Sequence, residues 1–121
     1  MSCNNTSVDF RPANYNIQIW ENNTWSQIFQ LTANTVPIDL TGANVEIQVR
    51  KRPNSTTADM TLILGNGITV GGLNSNQITI NYDVNISAGS YVYDMTIQFP
   101  NDNIKTYIWG SFIVYQDITQ I

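Results

Sequence analysis

Residues 89–115, GSYVYDMTIQFPNDNIKTYIWGSFIVY, contain the strongest structural pattern in the chain. Large apolar side chains alternate with polar ones from Tyr91 to Phe99, and an alternating run resumes from Ile104 to Tyr115. The turn-forming residues 100–103 separate the two runs. A period of two residues with a polar turn between the runs predicts a long antiparallel β-hairpin. Gly110 interrupts the second run, so we expect a bulge or a closely packed neighbour there.

The same period extends outward to most of the chain. Val45, Ile47 and Val49 alternate with polar residues, which predicts a strand with one buried and one solvated face. Glycine-marked turns at 65–67 and 71–72 predict tight reversals, whereas 51–59 is expected to be an exposed loop and 83–90 has room for at most one helical turn. Further strands are predicted at 15–20 and 25–31, paired as a first hairpin, and at 61–64, 68–70 and 77–82. About seven or eight short strands indicate an all-β, antiparallel sandwich.

The chain is 121 residues long, the size of one domain. Residues 14–121 are predicted to form the sandwich, and residues 1–13 an extended N-terminal arm. Apart from Met1, Val8 and Phe10 are the only large apolar side chains in this polar arm. We therefore expect them to anchor the arm on a neighbouring subunit.

The composition argues against several classes of function. The chain has no His and a single Cys, Cys3, so acid–base, nucleophilic and transition-metal chemistry lack their usual residues. We expect no catalytic residue, no cofactor and no metal site. The net charge of −4 is unsuited to nucleic acid, and no apolar run approaches the roughly 18 residues of a membrane span. With no export signal, we expect synthesis in the cytoplasm and no contact with a membrane.

Charged residues make up 12% of the chain, against an ordinary share of roughly 25%. A surface rich in neutral amides and hydroxyls repels copies of itself only weakly, which suits repeated packing, although source-genome composition explains it equally well. The basic cluster Arg50-Lys51-Arg52 is interpreted as part of a solvated loop.

Three kinds of candidate site deserve comparison with a purely structural interpretation. A sugar-stacking surface is conceivable, but large aromatic residues on strands more often belong to the core or to a subunit interface. Calcium ligation is conceivable too, but the chain has no D-x-D-x-D-G run, which favours turn and edge roles. Glycoside hydrolysis is disfavoured because only Glu21 and Glu46 accompany seven dispersed Asp residues. The aromatic candidates are Tyr15, Trp20, Trp25, Tyr107, Trp109 and Tyr115; the oxygen-ligand candidates are Asp83, Asn85, Asp94, Asn101, Asp102 and Asp117.

Several sequence segments resemble one known family. The run at 37–43, PIDLTGA, is followed by Val45, Ile47, Val49 and Arg50, and further matching pieces are GSYVYDM at 89–95, GSFIV at 110–114 and DIT at 117–119. In this order they resemble the N-terminal domain of the lactococcal phage baseplate upper protein and similar small tailed-phage structural proteins. The segments describe turns and strands, so the resemblance concerns a fold and not a site.

The resemblance implies an immunoglobulin-like sandwich that serves attachment within a virion, without enzyme activity. We therefore expect a virion structural component, made in the bacterial host cytoplasm, that docks in multiple copies on a tail, neck or baseplate and holds fibres. Its partners would be virion proteins, among them portal or capsid proteins, and copies of itself. The alternatives are a capsid decoration or head-fibre protein and a stand-alone carbohydrate-binding module. Interface candidates are Val8, Phe10, Trp20, Trp109 and Tyr115.

Overall fold

The computed structural model describes residues 12–119, which are built from strands and the loops between them. Within this range no helix is present, so none is long and apolar enough to cross a membrane. The strands are β1 (Ala13–Asn14), β2 (Ile17–Trp20), β3 (Thr24–Gln30), β4 (Thr32–Ala33), β5 (Val36–Pro37), β6 (Asn44–Arg50), β7 (Met60–Leu64), β8 (Gly67–Gly71), β9 (Gln77–Asp83), β10 (Gly89–Gln98) and β11 (Ile104–Tyr115).

The strands form an immunoglobulin-like β-sandwich, which confirms the predicted fold class. The main sheet runs in the order β1-β11-β10-β6-β7-β8-β9-β3, with β2 also paired to β11, and β4 with β5 forms a separate small hairpin. Strands β8, β9 and β3 cover the larger layer of β2, β11, β10, β6 and β7, since Trp25 of β3 contacts Tyr93 of β10 and Phe112 of β11 across the core. Eight strands of this part of the chain have four or more residues, as predicted.

The core lies between the layers and follows the predicted alternation. Val45, Ile47 and Val49 of β6 are buried, as are the odd-numbered residues 91–97 of β10. Trp25 of β3 crosses from the opposite layer, with its ring centroid 5.1 Å from that of Phe112 and 5.9 Å from that of Tyr93. These edge-on aromatic contacts join the two layers through β3, β10 and β11.

The sheet is mixed, which corrects the expectation of a wholly antiparallel sandwich. Strands β1 and β2 both pair with β11 in parallel, and β7 pairs with β8 in parallel over two residue pairs. Consequently the predicted first hairpin is wrong, because β2 pairs with β11 while β3 pairs antiparallel with β9.

The turn at residues 21–23 changes layers instead of closing a hairpin. The amide of Glu21 donates to the carbonyl of Tyr115 in the larger layer, at 2.8 Å. The amide of Asn22, which has a positive φ of 63°, donates to Val84 O at 2.7 Å beside the smaller layer. Sequence periodicity locates a turn here, but it does not specify the pairing partners of the flanking strands.

Both glycine-marked turns are tight, as predicted. The turn at 71–72 leads into an antiparallel β8–β9 hairpin. At 65–67 the chain reverses tightly, since the backbones of Ile63 and Asn66 exchange two hydrogen bonds, at 3.1 and 2.9 Å, although β7 and β8 then pair in parallel over only two residue pairs. Residues 51–59 form the predicted loop, and no helical turn forms at 83–90.

The long hairpin of β10 and β11 is confirmed, and its irregularity lies at Tyr107. The register shifts between Met95, opposite Ile108, and Thr96, opposite Thr106, which leaves Tyr107 as the extra residue. Gly110 instead permits a close approach, because a Cβ atom there would overlap the backbone carbonyl of Tyr15. Of the two roles expected for this glycine, the closely packed neighbour is therefore confirmed.

Candidate functional site: the outer face of the larger layer

The outer face of the larger layer presents the side chains of β2, β11, β10 and β6 that point away from the core. Its residues follow from the strand registers, since alternate positions face opposite sides. We use "outer face" for the following set: Gln18, Trp20, Asn44, Glu46, Gln48, Arg50, Val92, Asp94, Thr96, Gln98, Ile104, Thr106, Trp109, Ser111, Ile113 and Tyr115.

Trp20 and Tyr115 form an exposed aromatic pair at the edge of this face. They are register partners in the parallel β2–β11 ladder, and their ring centroids lie 5.7 Å apart with the planes tilted by 41°. Trp20 is 43% exposed and Tyr115 is 40% exposed. On the side away from β11, β2 has no strand partner among residues 12–119. We call Trp20 and Tyr115 the edge aromatic pair.

Trp109 is separate from the edge aromatic pair, although the sequence groups all three residues as interface candidates. It lies six positions before Tyr115 on β11, a separation of about 20 Å at the usual rise of a strand. Its side chain is 48% exposed, and its register partners are Asn14 on β1 and Asp94 on β10. The outer face therefore carries two distinct aromatic positions.

Trp109 begins a row of side chains that crosses three strands. Asp94 is opposite Trp109 on one side and opposite Gln48 on the other. Neighbouring strands are about 4.8 Å apart, so an indole, a carboxylate and an amide occupy successive positions at that spacing. A groove of about 320 Å³ lies along this row. The groove, called the Trp109 groove below, is lined by Gln48, Arg50, Pro53, Val92, Tyr93, Asp94 and Trp109.

A hydrogen-bond ladder along β6 fixes one wall of the groove. Arg50 donates from one guanidinium nitrogen to the carbonyl of Ser55, at 2.8 Å, and from the other to Gln48 Oε1, at 2.6 Å. Gln48 Nε2 in turn donates to Glu46 Oε2 at 2.5 Å. Both polar wall residues are therefore held in one orientation. This corrects the interpretation of Arg50 as part of a solvated loop, since it is a half-buried strand residue; Lys51 and Arg52 are exposed, as expected.

Asp94 is the central residue of this row, between Trp109 and Gln48, and its side chain is exposed. Burial raises the pKa of the Asp94 carboxyl; the positive charge of Arg50 opposes this effect and the negative charge of Glu46 adds to it. The carboxylate thus lies in a partly desolvated place beside one fixed cation. Hydrogen-bond donors that approach it gain more than they would at a fully solvated carboxylate.

The other aromatic candidates do not join the outer face. Trp25 is only 3% exposed and donates from Nε1 to Gln27 Oε1, so it belongs to the core. Tyr15 packs edge-on against Phe29 at 5.5 Å. Tyr107 packs against Phe99 at 6.3 Å, with the ammonium of Lys105 4.8 Å from its ring centroid. The six aromatic residues therefore do not make one sugar-stacking surface.

The oxygen-ligand candidates are dispersed within the described residues, where no group of three Asp, Glu, Cys or His side chains gathers as a metal site would require. Several have turn or edge roles instead. Asp83 accepts from Thr24 at 2.8 Å, Asn101 accepts from the amide of Asn103 at 3.1 Å, and Asp102 adopts a positive φ of 69° in the same turn.

Glu21 has a structural role that the sequence does not reveal. Its two carboxylate oxygens accept backbone amides from Ala88 and Asp117, each at 3.1 Å. The side chain thereby fastens the segment before β10 and the segment after β11 to the turn that changes layers. The low number of charged residues is the only signal that could have drawn attention to it. Glu46 lies on the outer face, so the two glutamates belong to different parts of the fold.

Val8 and Phe10 lie outside the described residues, so the predicted arm stays a prediction. The described chain begins at Pro12, and Ala13, the last residue assigned to the arm, pairs with Ile108 of β11 in the same chain. Trp20, Trp109 and Tyr115 are the interface candidates that the structure positions.

Comparisons with known proteins add little to this geometry. No protein-family model matches the sequence, and no curated protein matches it. Among solved structures the chain is similar to CopC from Methylosinus trichosporium OB3b, with 13% sequence identity and a TM-score of 0.40 over 64% of this chain and 67% of that one. A similarity at this level supports no functional argument.

Proposed function

We propose that the protein is a non-enzymatic structural component of a tailed-phage virion that docks in multiple copies on the tail, neck or baseplate and holds fibres. The observation that carries the proposal is the edge aromatic pair, which lies beside the side of β2 that has no strand partner within residues 12–119. Half-exposed Trp and Tyr side chains are typical of protein–protein contacts, where one apolar surface is buried and a polar atom stays accessible. A strand edge adjacent to them can add a strand from a partner.

The virion assignment depends on the resemblance of the sequence, and the residues that carry it have structural roles. Asp39 Oδ1 accepts from the amide and the hydroxyl of Thr41, at 3.0 and 2.7 Å, and Gly42 follows with a φ of 76°. Leu40 and Ala43 on either side are buried. The segment is an Asx turn that leads the chain into β6. Its residues therefore have structural roles, as expected if the resemblance reflects a shared fold.

The proposal is tested by binding to isolated virion proteins. The purified chain is mixed with portal, neck, tail, baseplate and major capsid proteins encoded by the same phage genome, at several salt concentrations. We expect stoichiometric binding to a tail, neck or baseplate protein, with modest salt dependence because the contact is aromatic and amide-rich. The double variant Trp20→Ser, Tyr115→Ser should abolish it, whereas Trp109→Ser should not.

Each alternative has its own outcome. Binding to the major capsid protein alone would indicate a capsid decoration or head-fibre protein. Absence of binding to every virion protein would contradict the structural proposal. If glycan binding appeared in place of any protein partner, the chain would be a stand-alone carbohydrate-binding module.

A further inference from the structure

The Trp109 groove has a combination of groups that the proposed docking surface does not use. An exposed indole, a partly desolvated carboxylate and an oriented guanidinium–amide pair line one depression of about 320 Å³. That volume is at the lower end of the roughly 300–1,000 Å³ range of small-molecule sites. The edge aromatic pair lies about 20 Å away along β11, so the groove is available while the edge is docked.

We propose that the Trp109 groove is a binding subsite for a neutral saccharide, with one pyranose ring stacked on Trp109 and its hydroxyl groups bonded to Asp94 and Arg50. The proposal does not depend on the virion assignment, because it uses a different part of the outer face.

The indole of Trp109 provides an apolar surface on which a sugar ring can stack. One face of a pyranose ring exposes mainly C–H groups, and an aromatic face covers them while the hydroxyl groups at the ring edge stay free for hydrogen bonds. Trp109 is 48% exposed and is paired on both sides, with Asn14 and with Asp94, so its backbone is fixed and its ring surface is accessible. Rigid aromatic side chains lose little entropy when a ligand binds.

The polar residues of the groove can both accept hydrogen bonds from a polyol and donate hydrogen bonds to it. The two oxygens of Asp94 accept hydrogen bonds from neighbouring hydroxyl groups, and the guanidinium of Arg50 has donors beyond the two used for Ser55 and Gln48. Since those two bonds already orient Arg50, little ordering cost remains for the ligand to bear. Asp94 lies one strand spacing from Trp109, about 4.8 Å, which is close to the width of one sugar ring.

Charge selects a neutral ligand over an anionic one. The charged groups that face the groove are Arg50, Asp94 and, next along the β6 ladder, Glu46. A carboxylate or phosphate near Arg50 would also meet Asp94 and Glu46, so the local balance is negative. A neutral saccharide satisfies the same donors and acceptors without this repulsion.

The test is a titration of the full chain with cellobiose, lactose, maltose and di-N-acetylchitobiose, followed by tryptophan fluorescence and amide and indole NMR shifts. At least one disaccharide should bind with a dissociation constant near or below about 1 mM and shift the indole resonance of Trp109. Trp109→Ala should weaken binding by roughly tenfold or more, equivalent to about 1.4 kcal/mol. Asp94→Asn should weaken it as well, through loss of the charged acceptor.

Trp20→Ala is the matched control, because Trp20 is similarly exposed on the same face, and it should leave the affinity unchanged. Unfolding curves identify any variant that fails to fold. If Trp109→Ala fails to fold, the affinity of Asp94→Asn tests the groove in its place. The proposal is overturned if none of the four disaccharides binds at up to about 20 mM, or if binding survives both groove variants, whatever the result for Trp20→Ala. Neither result affects binding to virion proteins, which is measured separately.

Discussion

The two faces of β10 and β6 belong to the same strands and carry different information. On the inner face, Tyr93, Met95 and Ile47 are almost completely buried and pack against the opposite layer. On the outer face, Asp94 and Gln48 occupy the alternate positions of those strands and line a solvated groove. The inner face therefore determines the fold, whereas the outer face can change its chemistry without changing the fold.

The most severe way to break this division is to place a charge on the inner face. Tyr93 is 4% exposed, contacts Trp25 and Phe112, and donates from its hydroxyl to the carbonyl of Tyr15 at 2.5 Å. Tyr93→Asp would bury a carboxylate without a partner and remove these contacts. We expect the free energy of unfolding to fall by about 3–5 kcal/mol, measured by urea denaturation.

Gln98→Asp is the matched control for this change, because Gln98 is an exposed outer-face position at the end of the same strand. It should alter the free energy of unfolding by no more than about 0.5 kcal/mol. Equal effects of the two substitutions would mean that Tyr93 does not face the core.

A smaller effect is expected where the linker between β1 and β2 crosses the edge of the sheet. A methyl group on Gly110 would overlap the carbonyl of Tyr15, the same carbonyl that accepts from Tyr93, and would displace the Tyr15 amide from Trp109 O, 2.8 Å away. Gly110→Ala should therefore cost about 1–3 kcal/mol of stability, the usual range for overpacking.

Gly71→Ala tests whether glycine loss alone explains such a cost. Gly71 is also a strand residue, but no atom lies within 4 Å of the position its Cβ would take. We expect its melting temperature to stay close to that of the unchanged protein. A melting temperature lowered as far as in Gly110→Ala would contradict the close-approach explanation.

The sequence predicted most of the inner face and little of the outer one. Alternation identified β6, β10 and the hairpin to β11 because burial on one face imposes a period of two. It could not identify the partner of β2, since the turn at residues 21–23 is compatible with either a hairpin or a change of layer. The parallel pairing of β2 with β11 depends on contacts between residues 95 positions apart in the chain. Local sequence patterns do not specify such contacts.

The candidate sites show the same limit. Trp20, Trp109 and Tyr115 are exposed, whereas Trp25 has the same side chain as Trp20 and Trp109 and lies in the core, so residue type alone does not separate surface from core. The Trp109 groove joins residues of β6, β10 and β11, so it exists only after the strands are ordered. The sequence neighbours of Arg50 favour a basic loop, whereas the guanidinium donates to Gln48 and to the carbonyl of Ser55.

The smallest predicted effect compares two carboxylates with opposite pH dependence. Burial raises the pKa of Asp94 above its ordinary value of 3.8 despite the opposing charge of Arg50. Ionised Asp94 therefore destabilises the folded protein at neutral pH, and this penalty disappears as the pH falls below 3.8. Hydrogen bonds from the Thr41 side chain and amide lower the pKa of Asp39, so the stabilisation that ionised Asp39 contributes is present above pH 3.8 and is lost as the pH falls.

In urea unfolding across this pH range, Asp94→Asn should raise stability at pH 7 by less than about 1 kcal/mol, since solvent screens a half-exposed group, and should have no effect near pH 3. Asp39→Asn should lower the free energy of unfolding at pH 7, and the variant and the unchanged protein should again become equally stable in acid. Loss of stability in Asp94→Asn at neutral pH would mean that the attraction between the Asp94 carboxylate and the positive charge of Arg50 outweighs desolvation. The two charges would then serve stability, which would argue against a groove prepared for a saccharide.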